Sequence, residues 1–389
     1  MNARPDPIPL TILTGFLGAG KTTLLNALLK DEGLSNTVVI MNEFGEIGLD
    51  HLLVETVDEG MVLLSAGCLC CTVRGDLVAT LEDLLRRRDN GRIMPFERVI
   101  VETTGLADPA PILHAVLYHP YLKLRYPVEG VVTVVDAVNG AATLDAHEEA
   151  LKQVAVADEI VVTKSDIASA DALAALEARL AALAPGARRH RAVAGAIPAR
   201  EILGRGPFDL AAKPSDVAAW LSAEAVAAAE AAAHERAHGH HHHHHGHGDH
   251  DHGHHHHDVN RHDASIRAFC LVSDAPVPQR TLDLFLDMLR ATQGPKLLRL
   301  KGIVAIAEDP EHPIVVHGVQ HVIHVPAVLE RWPDEDRRSR LVLIGKDLDP
   351  AYVRSLWAAF RNEPGIDRPD EAALADNPLA LLSGMKAQR

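Results

Sequence analysis

Gly15-Phe16-Leu17-Gly18-Ala19-Gly20-Lys21-Thr22 is the stretch on which the reading of this chain turns. It matches the pattern G-x-x-x-x-G-K-[S/T]. It also lies between an apolar, β-branched run at 8–14 and a helical pattern at 22–30, the context that gives the pattern a mechanical meaning. Glycines let backbone N–H groups curl around phosphates, and the helix start adds the positive end of its dipole. Lys21 is expected to reach the terminal phosphates and the Thr22 hydroxyl to bind Mg2+. Gly15, Gly18, Ala19, Gly20, Lys21, Thr22 and Thr23 are therefore the candidate phosphate site. The plain alternative is a glycine-rich strand-to-helix turn that holds nothing.

Two further strand ends extend the argument. Val99-Ile100-Val101 runs into Glu102-Thr103-Thr104-Gly105, where Glu102 takes the position of a Walker B acid, holding Mg2+ directly or through water. Gly105 is then placed to offer its N–H to a γ-phosphate. Lys21, Thr22, Glu102 and Gly105 form the expected catalytic set, against the alternative of a strand-end acid capping a turn. Thr163-Lys164-Ser165-Asp166 follows the strand expected at 159–163. A carboxylate accepts from both N1–H and the 2-amino group of guanine, and adenine offers no such pair, so Asp166 argues for GTP over ATP. Lys164 would lay its aliphatic stem along the base. Thr163 stands where many GTPases have Asn, and a weaker brace to the phosphate loop is expected from it.

Outward from these sites, short β-branched runs alternate with longer helical patterns, the signature of a helix-covered parallel sheet. Strands are expected at 8–14, 37–41, 98–101, 130–135 and 159–163, helices at 22–30, 77–88, 110–117, 146–156 and 170–183, and a hairpin near 52–64. Further strands are expected at 265–272, 296–307, 313–317, 320–325 and 340–344, with helices at 279–291 and 350–360. The predicted fold is α/β: a P-loop GTPase domain with a mostly parallel sheet over 1–205, a helical linker and His-rich loop over 206–262, and a smaller α+β domain over 263–389.

Composition narrows the function classes. The 389 residues exceed what one domain of roughly 150 usually holds. The 38 basic and 53 acidic side chains leave a formal charge of -15 with no sustained basic run, which argues against a duplex-coating nucleic-acid binder. No window reaches the ~18 consecutive apolar residues of a membrane span, and the first ten residues lack the pattern of an export signal. A soluble, cytoplasmic protein is expected.

The chain has 4 Cys and 25 His. Three thiols, Cys68, Cys70 and Cys71, fall in Gly67-Cys68-Leu69-Cys70-Cys71, and the flanking Gly67 and Gly75 allow the backbone to turn them onto one ion. Thiolates select Zn2+, Cu(I) and similar ions, and three protein ligands leave a tetrahedral position open for exchange. A buried apolar cysteine patch and a Cys68–Cys70 redox pair are the alternatives. Glu43, in Asn42-Glu43-Phe44-Gly45-Glu46, is the candidate fourth ligand, set against a solvated loop acid. Cys270 is expected in the core. Over 238–257, 14 of 20 residues are His and the rest Gly or Asp, too polar to fold alone.

In this order the motifs closely resemble the CobW-like metallochaperone GTPases of zinc-chaperone type, over about 8–205. The segments at 15–23, 42–46, 68–71, 102–105 with Asp108-Pro109, and 163–166 carry the resemblance. It implies slow GTP hydrolysis coupled to delivery of a metal, zinc or in some members cobalt for cobalamin synthesis, to a client apo-metalloprotein. It makes Cys68, Cys70 and Cys71 the transferable site. Imidazoles of His240, His241, His242, His243, His244 and His245 are expected to capture Zn2+, Co2+ or Ni2+ weakly. Expected cofactors are GTP, Mg2+ and Zn2+, with Co2+ as the alternative. The partners are GTP, the metal ion and the client, with a homodimer left open and neither nucleic acid nor membrane. A metal-storage protein with a regulatory GTPase and a P-loop small-molecule kinase are the competing readings.

Overall fold

The computed structural model describes residues 6–31, 34, 36–42, 54–56, 62–66, 73–203, 266–324 and 326–361. An eight-stranded sheet contains β1 (Leu10–Gly15), β2 (Thr37–Asn42), β3 (Val54–Thr56), β4 (Val62–Ala66), β5 (Arg98–Glu102), β6 (Val128–Asp136), β7 (Glu159–Thr163) and β8 (Arg188–Ala192). The strand order is β3-β4-β2-β5-β1-β6-β7-β8, parallel throughout except for the β3–β4 pair, which is the expected hairpin. The chain leaves β1 for one side of the sheet and later returns to the other. In open α/β sheets, a ligand crevice forms outside the strand carboxyl ends at such a reversal.

Strands β1 and β7 are buried along their whole lengths, as apolar runs in a doubly covered sheet must be. Side chains alternate between the faces. On one side Leu13, Val39, Ile100 and Val134 pack with Leu24, Leu25 and Leu28 of α1 (Lys21–Leu28) and Ile202 of α8 (Ala199–Ile202). On the other, Leu10, Ile12 and Val99 meet α2 (Val73–Asp89) and α3 (Ala110–Leu117), beside the short α4 (Leu122–Arg125). Ile160 and Val162 meet α5 (Gly140–Ala146), α6 (Glu148–Ala155) and α7 (Ala170–Leu183).

A second, antiparallel sheet comprises β9 (Ile266–Ser273), β10 (Leu297–Ile306), β11 (Asp309–Val319), β12 (Val322–Ile323), β13 (Ala327–Val328) and β14 (Ser339–Lys346). Its order is β12-β11-β10-β14-β9, with β13 against β11. The helices Gln279–Gln293 and Pro350–Phe360 cover one face through Leu282, Phe285, Val353 and Trp357. The second of these starts on Asp349, whose carboxylate accepts from the Ala351 N–H at 2.9 Å, with Pro350 at the first helical position. The opposite face lends Ile266, Leu298 and Ile344 to the core around α6 and α7. The two domains therefore share a packed layer of helices. Arg299 and Lys301 are buried in that layer, a costly position without a counter-charge. Asp158 supplies it, accepting from the Arg299 guanidinium and lying 3.5 Å from Lys301 Nζ, while Arg299 also donates to the Val156 carbonyl.

Three expectations change. The helix expected at 146–156 is α6 and starts at Glu148, after a separate, unexpected α5, because His147 takes an extended backbone between the two and stacks its ring on Phe16 at 4.4 Å. The strand at 320–325 reduces to Val322–Ile323, since Gln320 has a left-handed backbone that turns the chain. Strand β8 went unread because Arg188-Arg189-His190-Arg191 looks like a solvated charge run. Glu159 answers those charges, bonded to Arg188 and His190. Cys270 is half-buried in β9, not fully in the core.

Beside Arg299 and Lys301 lie His317 and His324, rings 5.0 Å apart. Burial, reinforced by Arg299 and partly offset by Asp158, pushes His324 down to about 4. Burial and the charges of Arg299, His324 and Lys301 hold His317 well below the ordinary imidazole range. Unfolded, both take up protons near pH 6.5; folded, both stay neutral, so stability is full above that value and falls as pH drops toward 4. His324 alone accounts for up to about 3 kcal/mol. Urea midpoints should fall between about pH 7.5 and pH 5, and His324→Gln should flatten the dependence. Equal midpoints for the unsubstituted protein at both values would contradict the assignment.

Candidate functional site

At the carboxyl end of β1 the chain turns through Gly15, Gly18 and Gly20, with φ values of 144°, 73° and 99°. A Cβ on Gly15 would sit 2.4 Å from the Val134 carbonyl oxygen, so this strand end tolerates no side chain. Gly20 leads into α1 without a side-chain cap and no acid occupies the first turn, which leaves the helix N–H groups open to an anion. Lys21 is buried in the arc of the loop, with Nζ 2.8 Å from the Gly15 carbonyl and 3.2 Å from that of Phe16. Burial lowers its pKa and the nearby Glu102 charge works against that shift. Thr22 and Thr23 are exposed at the mouth.

Glu102 ends β5, in register with Leu13 of β1 on one side and Met41 of β2 on the other. It is buried, and the adjoining Thr103 hydroxyl donates to that of Thr14 at 2.8 Å. Gly105 then lies directly on the phosphate loop, where a Cβ would meet the Leu17 nitrogen at 2.5 Å. The Gly105 and Ala107 carbonyls both accept from Gln153 Nε2, at 3.1 and 3.0 Å.

Across the loop, the Thr163 hydroxyl donates to the Ala19 carbonyl at 2.6 Å, so the brace expected to be weak is present and short. Threonine reaches because β7 runs close under the loop. Lys164, with a left-handed backbone, donates to the Gly18 carbonyl at 2.9 Å and pairs with Asp136 at 2.7 Å. Asp166 is exposed at the rim. Burial opposes ionisation of Asp136, but bonds from Lys164, Asn139 and the N–H groups of Val138 and Asn139 outweigh it and hold its pKa below the ordinary value. A cavity of about 240 Å³ opens beside these groups, lined by Leu17, Asp136, Asn139, Gln153 and Lys164 among others.

Sequence reasoning missed three parts of this site: Asp136, Gln153 and the loop after β8. In that loop Gly195 (φ 77°) would bring a Cβ within 2.7 Å of the Thr23 carbonyl, so the turn rests on the start of α1. Only Asp136 left a signal, as an acid ending an apolar strand. Glu43, Cys68, Cys70, Cys71 and His240 to His245 lie outside the described residues. Among the described residues no group of three or more His, Cys, Asp or Glu is arranged to hold a metal ion, and no helix is long and apolar enough to cross a membrane.

Residues 9–191 match the model of the CobW/HypB/UreG nucleotide-binding domain, and residues 266–361 that of the cobalamin synthesis protein cobW C-terminal domain. The chain is 31% identical to the zinc chaperone YjiA of Escherichia coli over 358 residues, 92% of this chain and 99% of that protein. The chain belongs to the CobW family of P-loop GTPases. It is also 31% identical to the zinc chaperone CobW of Pseudomonas aeruginosa, covering 89% of each. A crystal structure of Zn(II)-bound YjiA GTPase from E. coli superposes with a TM-score of 0.67 at 28% identity, over 92% of this CobW-family chain and all of that one.

The Gly105–Leu17 approach yields a prediction. Gly105→Ala should push the loop after β5 off the phosphate loop and lower the GTP turnover number at least about tenfold, the scale on which a misplaced stabilising group is felt. Steady-state phosphate release measures it. Unchanged turnover would show that the two loops need not touch.

Proposed function

We propose that this CobW-family GTPase is a metallochaperone that carries zinc on Cys68, Cys70 and Cys71, with Glu43 as fourth ligand, and hands it to a client apo-metalloprotein under control of its nucleotide. The observation that carries the reading is the register of β2 and β4, in which Asn42 pairs with Ala66. In the sequence Glu43 follows Asn42 directly and Cys68 comes two residues after Ala66. With about 3.8 Å between consecutive Cα atoms and about 4.8 Å between strands, that register supports a site shared by the carboxylate and the thiols. The same edge continues through Glu102 on β5 to the phosphate loop on β1, three strand spacings or about 14 Å from β4.

Lys21 and the α1 N-terminus would neutralise the phosphates, Gly105 would offer its N–H to the γ-phosphate, and Thr163, Lys164 and Asp166 would select guanine. Thr22 and Glu102 present the hard oxygens that suit Mg2+, which when bound would neutralise phosphate charge. Three thiolates and a carboxylate suit tetrahedral Zn2+, and zinc-chaperone relatives support zinc over cobalt as cargo. Thiols in this state require a reducing compartment such as the cytoplasm. A γ-phosphate that orders the strand end after Asn42 would complete the metal site, and its loss would open it. By linkage, zinc must then alter GTP affinity by the same factor.

Zinc affinity measured by competition with a chromophoric chelator should differ by about 5- to 150-fold between a GTP analogue and GDP. Cys70→Ser should abolish the difference, and transfer to an apo-zinc enzyme should need GTP. Equal affinities in the two nucleotide states would end the scheme. Removal of 238–257, the histidine tract, should lower the number of zinc ions bound and leave GTP turnover within about twofold; loss of GTP binding would refute a reservoir role for those imidazoles.

A further inference from the structure

The loop over residues 105–108 is gripped from two sides, and one grip comes from the other domain. From α6, the buried Gln153 spends both amide protons on the Gly105 and Ala107 carbonyls. From the C-terminal domain, Gln320 donates from Nε2 to Asp108 Oδ2 at 2.7 Å. The other Asp108 oxygen accepts from the Ala110 N–H at 2.9 Å, at the first residue of α3. Gln320 sits at the tip between β11 and β12 with φ 52°, a conformation few non-glycine residues adopt and one that needs support from its surroundings. That support is on both flanks. Val319 is buried in the first domain's core around α2 and α3, and the His321 ring lies 3.9 Å from that of His114 on α3.

We propose that Gln320 is a positioning residue for GTP hydrolysis: it fixes Asp108, and through it the loop carrying Gly105, against the phosphate loop. The C-terminal domain is then a working part of the GTPase switch. In GTPases, loops at this position order and relax with the γ-phosphate. Here the relaxed loop must break or carry with it a bond to a tip that is packed into both domains, so the second domain resists the loop's release and sets part of the turnover rate. The charged layer of Asp158 with Arg299 and Lys301 ties β10, the strand paired with β11, to the turn that follows α6, and the Gln320 N–H donates to the Leu298 carbonyl of β10, so the grip is held in place relative to Gln153. The inference rests on the reading of Gly105 as a phosphate-facing residue and does not depend on metal transfer.

The test uses the full-length protein and GTP turnover at saturating substrate. Gln320→Asn keeps an amide and tolerates the left-handed backbone but shortens the reach by one methylene. Gln320→Glu sets a carboxylate against Asp108. Both should lower kcat by roughly 2- to 30-fold, the range seen for residues that couple separate sites, while KM for GTP stays within about twofold. The pair D108N/Q320E restores a donor and an acceptor in exchanged positions and keeps an oxygen for the Ala110 N–H, so it should recover most of the loss. Unchanged kcat in Q320N and Q320E overturns the proposal, as does a loss that the pair fails to recover and that follows melting temperature instead. G105A, run alongside, separates the two layers. If G105A lowers kcat and the Gln320 variants do not, only the positioning role falls; if G105A is silent, the reading of the loop falls with it.

Discussion

The hydrogen-bonded register of β4, β2, β5, β1, β6 and β7 carries the rest of the structure, because it brings together strand ends from Ala66 to Thr163 along one edge. Parallel strands cannot be joined by tight turns, so each must be followed by a crossover, and the loops that begin those crossovers gather at the carboxyl edge. Close approach is the cost of that gathering. Gly15 against Val134, Gly105 against Leu17 and Gly195 against Thr23 mark places where two backbones nearly touch and a single methyl group would part them.

The second sheet adds to this edge through a buried electrostatic layer. An isolated Arg or Lys in such a position would cost several kcal/mol, yet β10 places two of them against Asp158, between α6 and β7. The arrangement registers one domain on the other as well as neutralising charge. Because α6 packs between the two sheets, the amide of Gln153 reaches the loop over 105–108 from the same layer that the C-terminal domain contacts. Nucleotide chemistry and the second domain thus share one set of helices.

Much of the site was legible in local sequence. The glycine pattern before Lys21, the acid ending β5 and Lys-Ser-Asp after β7 were readable because each is a strand exit with its own chemistry. The β8 strand was not, since four of its five residues are charged or imidazole side chains, and their counter-charges, Glu159 on the neighbouring strand and Glu177 on α7, are supplied only by the fold. The short α5 before His147 also went unread, and the His147 ring that follows it finds its partner in Phe16 more than a hundred residues earlier. Thr163 shows the limit of reading by comparison. Its hydroxyl is shorter than the common asparagine, but the Ala19 carbonyl lies close enough to meet it.

By itself the sequence carried the signals of a chemistry, a phosphate-loop pattern at residues 15–22, an acid suited to guanine at 166 and thiols at 68–71, together with the alternation that forces a parallel sheet. Those are properties of residue type and short spacing, which a chain carries whatever its partners. Tertiary structure alone decided which strand ends stand side by side and what links them. The pairing of Asn42 with Ala66, the grip of Gln153, and the reach of Gln320 across 212 positions to Asp108 are long-range contacts. Such contacts come from sheet register and domain packing, and no local pattern encodes them.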